Sequence, residues 1–333
     1  MTAPTVQPLA TEWGGDQLVE AFDIFDNPRS ERVKMLKALA GRHGRFANDP
    51  RVLAEGPQAV KEAIAEGCVR DLWLTEQLPD GHRLAEATRQ AGGYVHWASQ
   101  SVLGAISPAS QGVAAVADWP IPQLSAVLTT ATAQAANQRA QASGTASAKN
   151  VATARRVPLV AVFERVGDPG NAGTAIRAAD CAGATAVCLA NGSVDPRAAK
   201  VIRCSAGSYF HLPVFGGVDL VETVAQWRQA GCQVLAATAD GAADLVDLLT
   251  VRGGLAGLQA ETAAGLEHLT SIAAANLVKP TVWLFGSEAG GLSETARQLA
   301  DQTVRIPIYG RAESLNLAMA ATVCLYASAL AGN

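Results

Sequence analysis

The sequence predicts an α/β protein whose larger, C-terminal part is built on a mostly parallel sheet. Short apolar stretches such as Pro158–Phe163 and Thr281–Gly286 alternate with stretches in which apolar residues recur at helical spacing. Apolar strands joined by helical crossovers are typical of parallel sheets that are covered on both faces. A smaller α/β domain is expected before this sheet, because 333 residues are long for one domain and sufficient for two.

Composition divides the chain into four segments. Residues 1–27 are predicted to be a loosely packed leader, and residues 28–120 a small α/β domain. Residues 121–157 are rich in Ala, Gln, Ser and Thr, which predicts a linker that is helical in part. Residues 158–333 are the parallel-sheet domain, and they include an Ala-, Gly- and Leu-rich insertion at 250–280 whose role the sequence does not indicate.

The elements of the small domain follow from its residue pattern. Residues 28–50 are predicted to be a basic helix, because apolar residues recur there at helical spacing. Short apolar runs bounded by turn residues predict strands, and amphipathic runs predict two further helices. The predicted strands are Arg51–Glu55, Asp71–Thr75, Tyr94–Ala98 and Gln111–Ala117, and the two helices are Pro57–Ala65 and Arg83–Ala91.

The larger domain repeats a pattern of buried strand followed by helix. Its strands are predicted from apolar runs of five or six residues, and its last element from a long apolar, small-residue stretch. The predicted strands are Pro158–Phe163, Ala186–Ala190, Gln233–Thr238, Thr281–Gly286 and Thr303–Ile308. The predicted helices are Ala172–Ala182, Pro196–Cys204, Leu220–Ala230, Ser293–Ala300 and Leu315–Leu330.

Composition also excludes several classes of protein. With 49% hydrophobic and 17% charged residues, the chain is not expected to be disordered as a whole. No apolar run reaches the roughly 18 residues of a membrane span, and the N-terminus lacks the layout of a secretory signal. The six cysteines form no CxxC pair, so neither a zinc site nor a disulfide framework is expected. We expect a cytoplasmic protein with reduced thiols, no metal and no membrane partner.

Charge is distributed unevenly along the chain. The net charge is −4, yet the stretch from Arg29 to Arg51 has seven basic residues and two acidic ones. Because phosphate contact requires a local basic patch rather than a basic protein, this stretch is a candidate for phosphate contact. A solvated helix face would show the same pattern. The candidate phosphate-contacting arginines are Arg29, Arg32, Arg42, Arg45, Arg51 and, in the larger domain, Arg203.

The first candidate site loop is Asp168–Arg177, which follows a predicted strand. Ligands of open α/β sheets bind beyond the carboxyl ends of strands, so this position favours a site. Asn171 is expected to cap the following helix. Arg177 is expected about one and a half turns into that helix, close to its N-terminal end. A strand–turn–helix unit with an ordinary surface arginine would have the same sequence pattern.

Two more loops follow later strands. Gly286–Leu292 contains adjacent glycines, which permit a tight backbone turn around a flat ligand, and it adds the carboxylate of Glu288. It lacks the spacing of a phosphate-binding loop. In Ile306–Asn316, Ser314 and Asn316 are expected to open the last helix, where Ser314 could also be a simple N-cap. Each loop taken alone is a weak signal.

The order and spacing of the three loops together resemble the signature motifs of the SpoU (TrmH) branch of the SPOUT methyltransferases. This resemblance covers about residues 158–333. The segment Arg203–Pro213 also looks like family sequence, whereas Ser287 stands where many members have Asn. The matching residues are Asn171, Gly173 and Arg177 in the first motif, Phe285–Glu288 and Gly291–Ser293 in the second, and Ile306, Pro307 and Ser314–Asn316 in the third.

The N-terminal half resembles, less specifically, the L30e-like substrate-binding domain that many members carry. The matching residues lie in Arg51–Gly56 and in Gln111–Val116. The linker at 121–157 and the insertion at 250–280 are longer than the family pattern. The resemblance implies a second, RNA-binding domain in front of the methyltransferase domain.

The resemblance implies a parallel sheet with a trefoil knot that binds S-adenosylmethionine, and an active site shared between the subunits of a homodimer. The substrate would be a ribose 2′-hydroxyl of RNA, with 23S rRNA favoured over tRNA; a catalytically idle RNA-binding or ribosome-assembly protein is the alternative. The implied cofactor-binding residues are Thr238, Ala239, Gly286, Gly291, Ile306, Leu315 and Asn316.

The resemblance also implies that Arg177 is the catalytic residue, oriented with the ribose by Asn171, Glu288, Ser314 and Asn316. Two roles for its guanidinium are open. It could act as a general base, but an arginine side chain keeps its protons at neutral pH. We favour a second role, in which the guanidinium binds a phosphate or the developing alkoxide and stabilises negative charge in the transition state.

Overall fold

The structure of the protein, a computed structural model, describes five stretches of the chain, which are residues 24–42, 49–119, 122–142, 157–250 and 275–332. Most of the predicted leader, the insertion between 251 and 274, and Arg45 lie outside these stretches. The chain divides into two compact units, residues 1–118 (unit 1) and 119–333 (unit 2). No helix in the described stretches is both long and apolar enough to cross a bilayer.

Unit 1 is a four-stranded sheet covered by helices. Its strands are β1 (Arg51–Glu55), β2 (Val69–Leu74), β3 (Tyr94–Trp97) and β4 (Val113–Asp118), in the sheet order β1-β4-β2-β3. Strand β4 is antiparallel to both β1 and β2, whereas β3 runs parallel to β2. The helices are α1 (Glu31–Ala40), α2 (Pro57–Ala65), α3 (Gly81–Gln90) and α4 (Gln100–Ile106).

Helix α1 is shorter than the helix predicted at 28–50. It begins after Ser30, whose Oγ accepts a hydrogen bond from the Val33 N–H at 3.3 Å and so caps the first turn. It ends at Gly41, and the next residue, Arg42, has a φ of 57°, which turns the chain out of the helix. Helix α4 was not predicted, because seven residues are too few for a clear periodic pattern.

Unit 2 is a seven-stranded sheet in which every neighbouring pair of strands is parallel. Its strands are β5 (Leu159–Phe163), β6 (Ala186–Ala190), β7 (Val214–Val218), β8 (Gln233–Ala237), β9 (Ala243–Asp244), β10 (Thr281–Phe285) and β11 (Gln302–Arg305). The sheet order is β7-β6-β5-β10-β8-β11-β9. The described helices are α5 (Leu124–Ala142), α6 (Pro169–Cys181), α7 (Ala199–Cys204), α8 (Leu220–Gln229), α9 (Leu245–Thr250), α10 (Glu294–Leu299) and α11 (Leu317–Gly332).

The predicted α/β class with a mostly parallel sheet is therefore confirmed. The trefoil knot stays a prediction. Strand β10 lies between β5 and β8, although β6 to β9 all come between β5 and β10 in the chain. This insertion brings the carboxyl ends of the three neighbouring strands β10, β8 and β11 to one place at the edge of the sheet.

Part of the predicted linker at 121–157 is a long helix that belongs to unit 2. Along α5, Ala131 is buried, and Leu124, Val127 and Leu128 pack on the apolar cluster between the sheet and α8. The helical part of the linker is thus attached to the core of unit 2 through its first two turns. Strand β7 was not predicted, because two glycines interrupt its apolar pattern.

The core under the site is aromatic. Phe163 on β5 and Phe285 on β10 are fully buried and their rings stack at 5.1 Å. Trp283 is also buried, and its Nε1–H donates a hydrogen bond to Ser328 Oγ on α11 at 2.9 Å. A buried indole needs a partner of this kind. These contacts fix α11 against the strands whose carboxyl ends carry the candidate site.

Candidate active site

A cavity of about 650 Å³ lies at the carboxyl ends of β8, β10 and β11. Its size is within the usual range for small-molecule sites, and its place beyond the strand ends is the usual one in α/β sheets. Six of the seven residues predicted to bind a cofactor line this cavity, and the exception is Asn316. The six are Thr238, Ala239, Gly286, Gly291, Ile306 and Leu315.

The loop after β10 closes into a tight hairpin. The Ser287 N–H donates to the Gly291 carbonyl at 3.2 Å, and the Gly291 N–H donates back to the Ser287 carbonyl at 2.9 Å. A side chain at Gly286 would overlap the backbone of Gly291 and Leu292. Gly291 has a φ of 60°, a left-handed value that glycine adopts more readily than other residues. The shape of this cavity wall therefore requires glycine at 286 and favours it at 291.

The same loop is tied to the neighbouring strand β5. The Glu164 N–H donates to the Phe285 carbonyl at 2.9 Å, and the Glu164 carboxylate accepts from the Ser293 N–H at 2.8 Å. Ser293 in turn caps α10 through its Oγ. The second loop is thus held at both of its ends.

A chain of hydrogen bonds joins the three predicted loops. Asn316 Nδ2 donates to Asn171 Oδ1 at 3.0 Å, and Asn171 Nδ2 donates to Glu288 Oε1. Asn316 Oδ1 accepts from the Ala318 N–H at 2.9 Å, which fixes the direction of the first amide and hence of the second. Of the predicted catalytic residues, these hydrogen bonds bring Asn316, Asn171 and Glu288 together.

The charged side chains in and around the cavity are of two kinds, those in ion pairs and those without one. Arg305 pairs with Asp244 at 3.1 Å, and Arg297 donates two hydrogen bonds to Asp240 at 3.0 and 2.9 Å. The hydrogen bond from Arg297 is the main reason why the pKa of Asp240 lies below its ordinary value. Two lining carboxylates, Glu288 and Glu313, form no ion pair with any residue in the described stretches. The cavity therefore presents uncompensated negative charge.

The expected cap at Asn171 is wrong, and the alternative in which Ser314 is an N-cap does not hold either. Helix α6 begins at Pro169 with Asp168 as its N-cap, whose carboxylate accepts from the Asn171 N–H at 2.8 Å, so Asn171 lies inside the first turn and does not cap it. At the last helix, Asn316 makes the capping bond to Ala318. Ser314 lies before the helix and lines the cavity instead.

Arg177 lies more than two turns into α6, not one and a half, because the helix starts three residues before the predicted start. Arg177 and Gly173 lie one turn apart on the same face of α6. A side chain at Gly173 would collide with α7, because its Cβ would lie 2.5 Å from Cys204 Cβ. The Arg177 side chain is exposed, makes no hydrogen bond or ion pair with another described residue, and does not line the cavity.

Arg42 and Arg51, two of the arginines predicted to contact RNA, bind groups in the segment from Asp49 to Arg51. Arg42 is only 7% exposed, and its guanidinium donates to the carbonyls of Arg51 at 2.9 Å and Asp49 at 2.8 Å. Arg51 pairs with the Asp49 carboxylate at 2.6 Å, which holds the pKa of Asp49 at about 2. The structure therefore contradicts a phosphate-binding role for Arg42, whose guanidinium holds the backbone before β1.

The other predicted RNA-binding residues differ in their surroundings. Arg32 is half exposed, stacks over the Trp73 ring at 4.9 Å and contacts Asp71 at 3.2 Å and His96 at 3.0 Å. Arg29 is exposed on the segment before α1, and Arg203 is half-buried at the end of α7.

Several lining residues were not predicted. They come from helix starts, strand ends and the loop before α11, so only the sheet order places them beside the predicted loops. Within the described stretches, no group of three or more His, Cys, Asp or Glu side chains is placed to hold a metal ion. The lining residues that were missed are Ala237, Asp244, Arg297, Arg305, Ile308, Glu313, Leu317 and Ala320.

The fold and the cavity define a doubly wound α/β protein with a small-molecule site at the carboxyl ends of its strands. The sequence pattern of the SpoU rRNA Methylase family matches residues 158–326. The chain belongs to this family.

Similar proteins extend the match beyond unit 2. The 23S rRNA (guanosine(2553)-2'-O)-methyltransferase RlmP of Bacillus subtilis is 26% identical over 305 residues, covering 91% of this chain and 97% of that protein. The 23S rRNA (uridine(2479)-2'-O)-methyltransferase of Streptomyces viridochromogenes is 34% identical over 173 residues, about half of each chain. The crystal structure of the SpoU methyltransferase AviRb from Streptomyces viridochromogenes with the cofactor AdoMet matches at a TM-score of 0.66, with 26% identity, covering 90% of this chain and 98% of that one.

Proposed function

We propose that this protein transfers the methyl group of S-adenosylmethionine to a ribose 2′-hydroxyl of RNA, with 23S rRNA favoured over tRNA as the substrate. The observation that carries the proposal is the hydrogen-bond chain from Asn316 through Asn171 to Glu288, which joins the three family motifs beside one cavity. The names of the similar proteins, which act on 23S rRNA, support the choice of substrate.

The cavity residues fit S-adenosylmethionine. Leu292, Ile306 and Leu317 give apolar walls, which suit an adenine ring, and Gly286 and Gly291 line the cavity without side chains. The unpaired carboxylates of Glu288 and Glu313 suit a ligand with a positive sulfonium and amino group. When bound, S-adenosylmethionine supplies a methyl group that is already activated as an electrophile.

With the electrophile activated, the protein must position the ribose and assist the loss of its proton. None of the described residues that line the cavity is a histidine, so no imidazole is placed to take the proton. We assign the assisting role to the Arg177 guanidinium, which binds a phosphate or the developing alkoxide and lowers the energy of the transition state. The ribose oxygen would bond to the methyl carbon as the bond from that carbon to sulfur breaks, and the hydroxyl proton would pass to water. Asn171, Glu288, Ser314 and Asn316 orient the sugar.

Arg177 reaches the reaction from a second copy of the chain in a homodimer. This assignment explains why an exposed, unpaired Arg177 lies outside the cavity of its own subunit. Helix α11 offers the surface for such a dimer. One face is buried in unit 2, whereas Met319, Val323, Tyr326 and Leu330 form a stripe that is 40–59% exposed. Their spacing of four, three and four residues is that of a helix face that packs against another helix.

RNA contact also involves the exposed cations of unit 1. Lys37 on α1 and Arg29 before it are exposed, so they are available to phosphates, unlike Arg42. Lys34 on α1 is exposed as well, and it pairs with Glu31 at 2.7 Å. We place the protein in the cytoplasm, and its six unpaired cysteines agree with a reducing compartment.

Exchange of Arg177 for alanine tests the assignment. We expect kcat to fall by on the order of 10² or more, as on loss of a transition-state contact, while the affinity for S-adenosylmethionine in calorimetry is unchanged. Mixed dimers of Arg177→Ala with Glu288→Ala subunits should regain activity, because one of their two sites is intact. Normal turnover of Arg177→Ala, or mixed dimers as inactive as the parents, would contradict the assignment.

A further inference from the structure

Tyr309 is the most exposed large hydrophobic side chain in the described stretches, with 87% of its surface open to water. It lies in the loop between β11 and α11, where every residue from Ile308 to Asn316 is exposed. An aromatic ring that is open to water can gain free energy when a partner covers it. The place of this loop beside the cavity indicates which class of ligand Tyr309 contacts.

Both flanks of this loop belong to the cavity wall. Ile306, Pro307 and Ile308 line the cavity before Tyr309, and Glu313, Ser314 and Leu315 line it afterwards. Residues 309–312 do not line it. The loop therefore leaves the wall at Tyr309 and returns at Glu313, so Tyr309 directly adjoins the cavity wall along the chain without lining the cavity.

The residues that follow Tyr309 are also open to solvent. Gly310 beside it has no atom within 4 Å of the position of a Cβ, and Arg311 is exposed one residue further on. A tyrosine ring next to an arginine, both open to solvent, is the combination on which unpaired RNA bases stack while the cation attracts the phosphates. The apolar stripe on α11 has no comparable cation among its exposed residues.

We propose that Tyr309 is a base-stacking residue that holds an unpaired nucleotide of the RNA at the mouth of the cavity. The proposal rests on the proposed function, since the ribose must enter through this mouth to reach the methyl group. Stacking of the base fixes the position of its ribose, so Tyr309 is a positioning residue that selects single-stranded RNA and does not act on the reacting atoms.

The test compares two single-stranded RNA probes on the full-length protein saturated with S-adenosylhomocysteine. One is a fluorescein-labelled decamer of adenosine, and the other is the same backbone with abasic riboses at every position. Tyr309→Ala should weaken binding of the adenosine decamer by about 5- to 100-fold, the loss of one stacked base, and leave binding of the abasic decamer unchanged. Tyr309→Phe, which keeps the ring, should bind like the wild type, and Tyr309→Leu, which keeps only apolar surface, should resemble Tyr309→Ala.

Several results would overturn the proposal. Equal weakening for both probes, or no weakening for either, would show that the ring does not stack on a base. A halved mass of Tyr309→Ala in sedimentation would assign the ring to contact between copies of the chain. The affinity of Tyr309→Ala for S-adenosylmethionine is expected to be unchanged, so failure of this proposal would leave the methyltransferase assignment intact. Failure of the wild type to bind S-adenosylmethionine would instead remove the proposed function.

Discussion

Replacing Asn171 by aspartate tests the hydrogen-bond chain at the mouth of the cavity. Asn171 accepts from Asn316 through Oδ1 and donates to Glu288 through Nδ2. Aspartate has the same shape and keeps the acceptor, but it replaces the donor by a second carboxylate oxygen. The change therefore removes one bond, places two negative charges side by side, and leaves the packing of α6 unaltered.

The size of the effect follows from that bond. A hydrogen bond to a charged group contributes roughly 1.5–3 kcal/mol. Because Glu288 is exposed, water weakens the interaction, and the lower end of this range applies. A loss of about 1.5 kcal/mol corresponds to about a tenfold fall in kcat/KM. Repulsion between the two carboxylates adds to this loss at neutral pH and raises the pKa of one of them.

The assay is methyl transfer to RNA with labelled S-adenosylmethionine, measured between pH 5 and pH 8 relative to the wild type. As pH falls through the raised pKa, one carboxylate of Asn171→Asp gains a proton and can donate again, so the defect should shrink toward acid. Adding Glu288→Gln should restore activity at neutral pH, because the new amide donates to the new carboxylate. A double variant no better than the worse single variant would refute the reasoning.

Three further predictions concern single residues. Gly286→Ala should weaken S-adenosylmethionine binding in calorimetry by tenfold or more, because a Cβ there overlaps the hairpin backbone, whereas Gly290→Ala, whose Cβ would meet only Ser287 Oγ at 3.5 Å, should bind normally. Arg42→Ala should lower the free energy of unfolding in urea by about 1–3 kcal/mol, since it removes two partly buried hydrogen bonds, and an unchanged midpoint would contradict this. The Asp49 carboxyl has a folded pKa of about 2 against an ordinary 3.8, so its stabilising effect is complete above pH 4 and lost toward pH 2. Asp49→Asn should therefore unfold more easily at neutral pH and show a smaller difference from the wild type as pH falls to 2.

Much of the fold could be predicted, because apolar runs mark buried strands clearly. The predicted strand at Ala186–Ala190 matches β6, and the one at Pro158–Phe163 begins one residue before β5. Elements that are short or interrupted by glycine, such as α4 and β7, leave too weak a pattern to detect. The start of α6 was missed although Asp168 and Pro169 are good N-cap and N1 residues, since the same pair also begins turns.

Sequence reasoning predicted only the part of the candidate site that lies in or beside the motif loops. Six of the residues predicted to bind the cofactor line the cavity because they lie at strand ends or in the motif loops, but Arg297 and Glu313 required the sheet order β10-β8-β11, which local patterns do not contain. Arg42 shows a second limit. In a basic run, an arginine that binds backbone carbonyls looks the same as one that faces water, since burial depends on where the chain turns after Gly41.

The position of the transferred methyl group tests the central claim most directly. The purified protein is incubated with methyl-labelled S-adenosylmethionine and RNA from cells that lack the gene, and the product is hydrolysed in alkali. Because cleavage of RNA in alkali needs a free 2′-hydroxyl, methylation of the ribose leaves the label in an alkali-stable dinucleotide. We predict that the label appears there. Label found in mononucleotides, on the bases, would contradict the account.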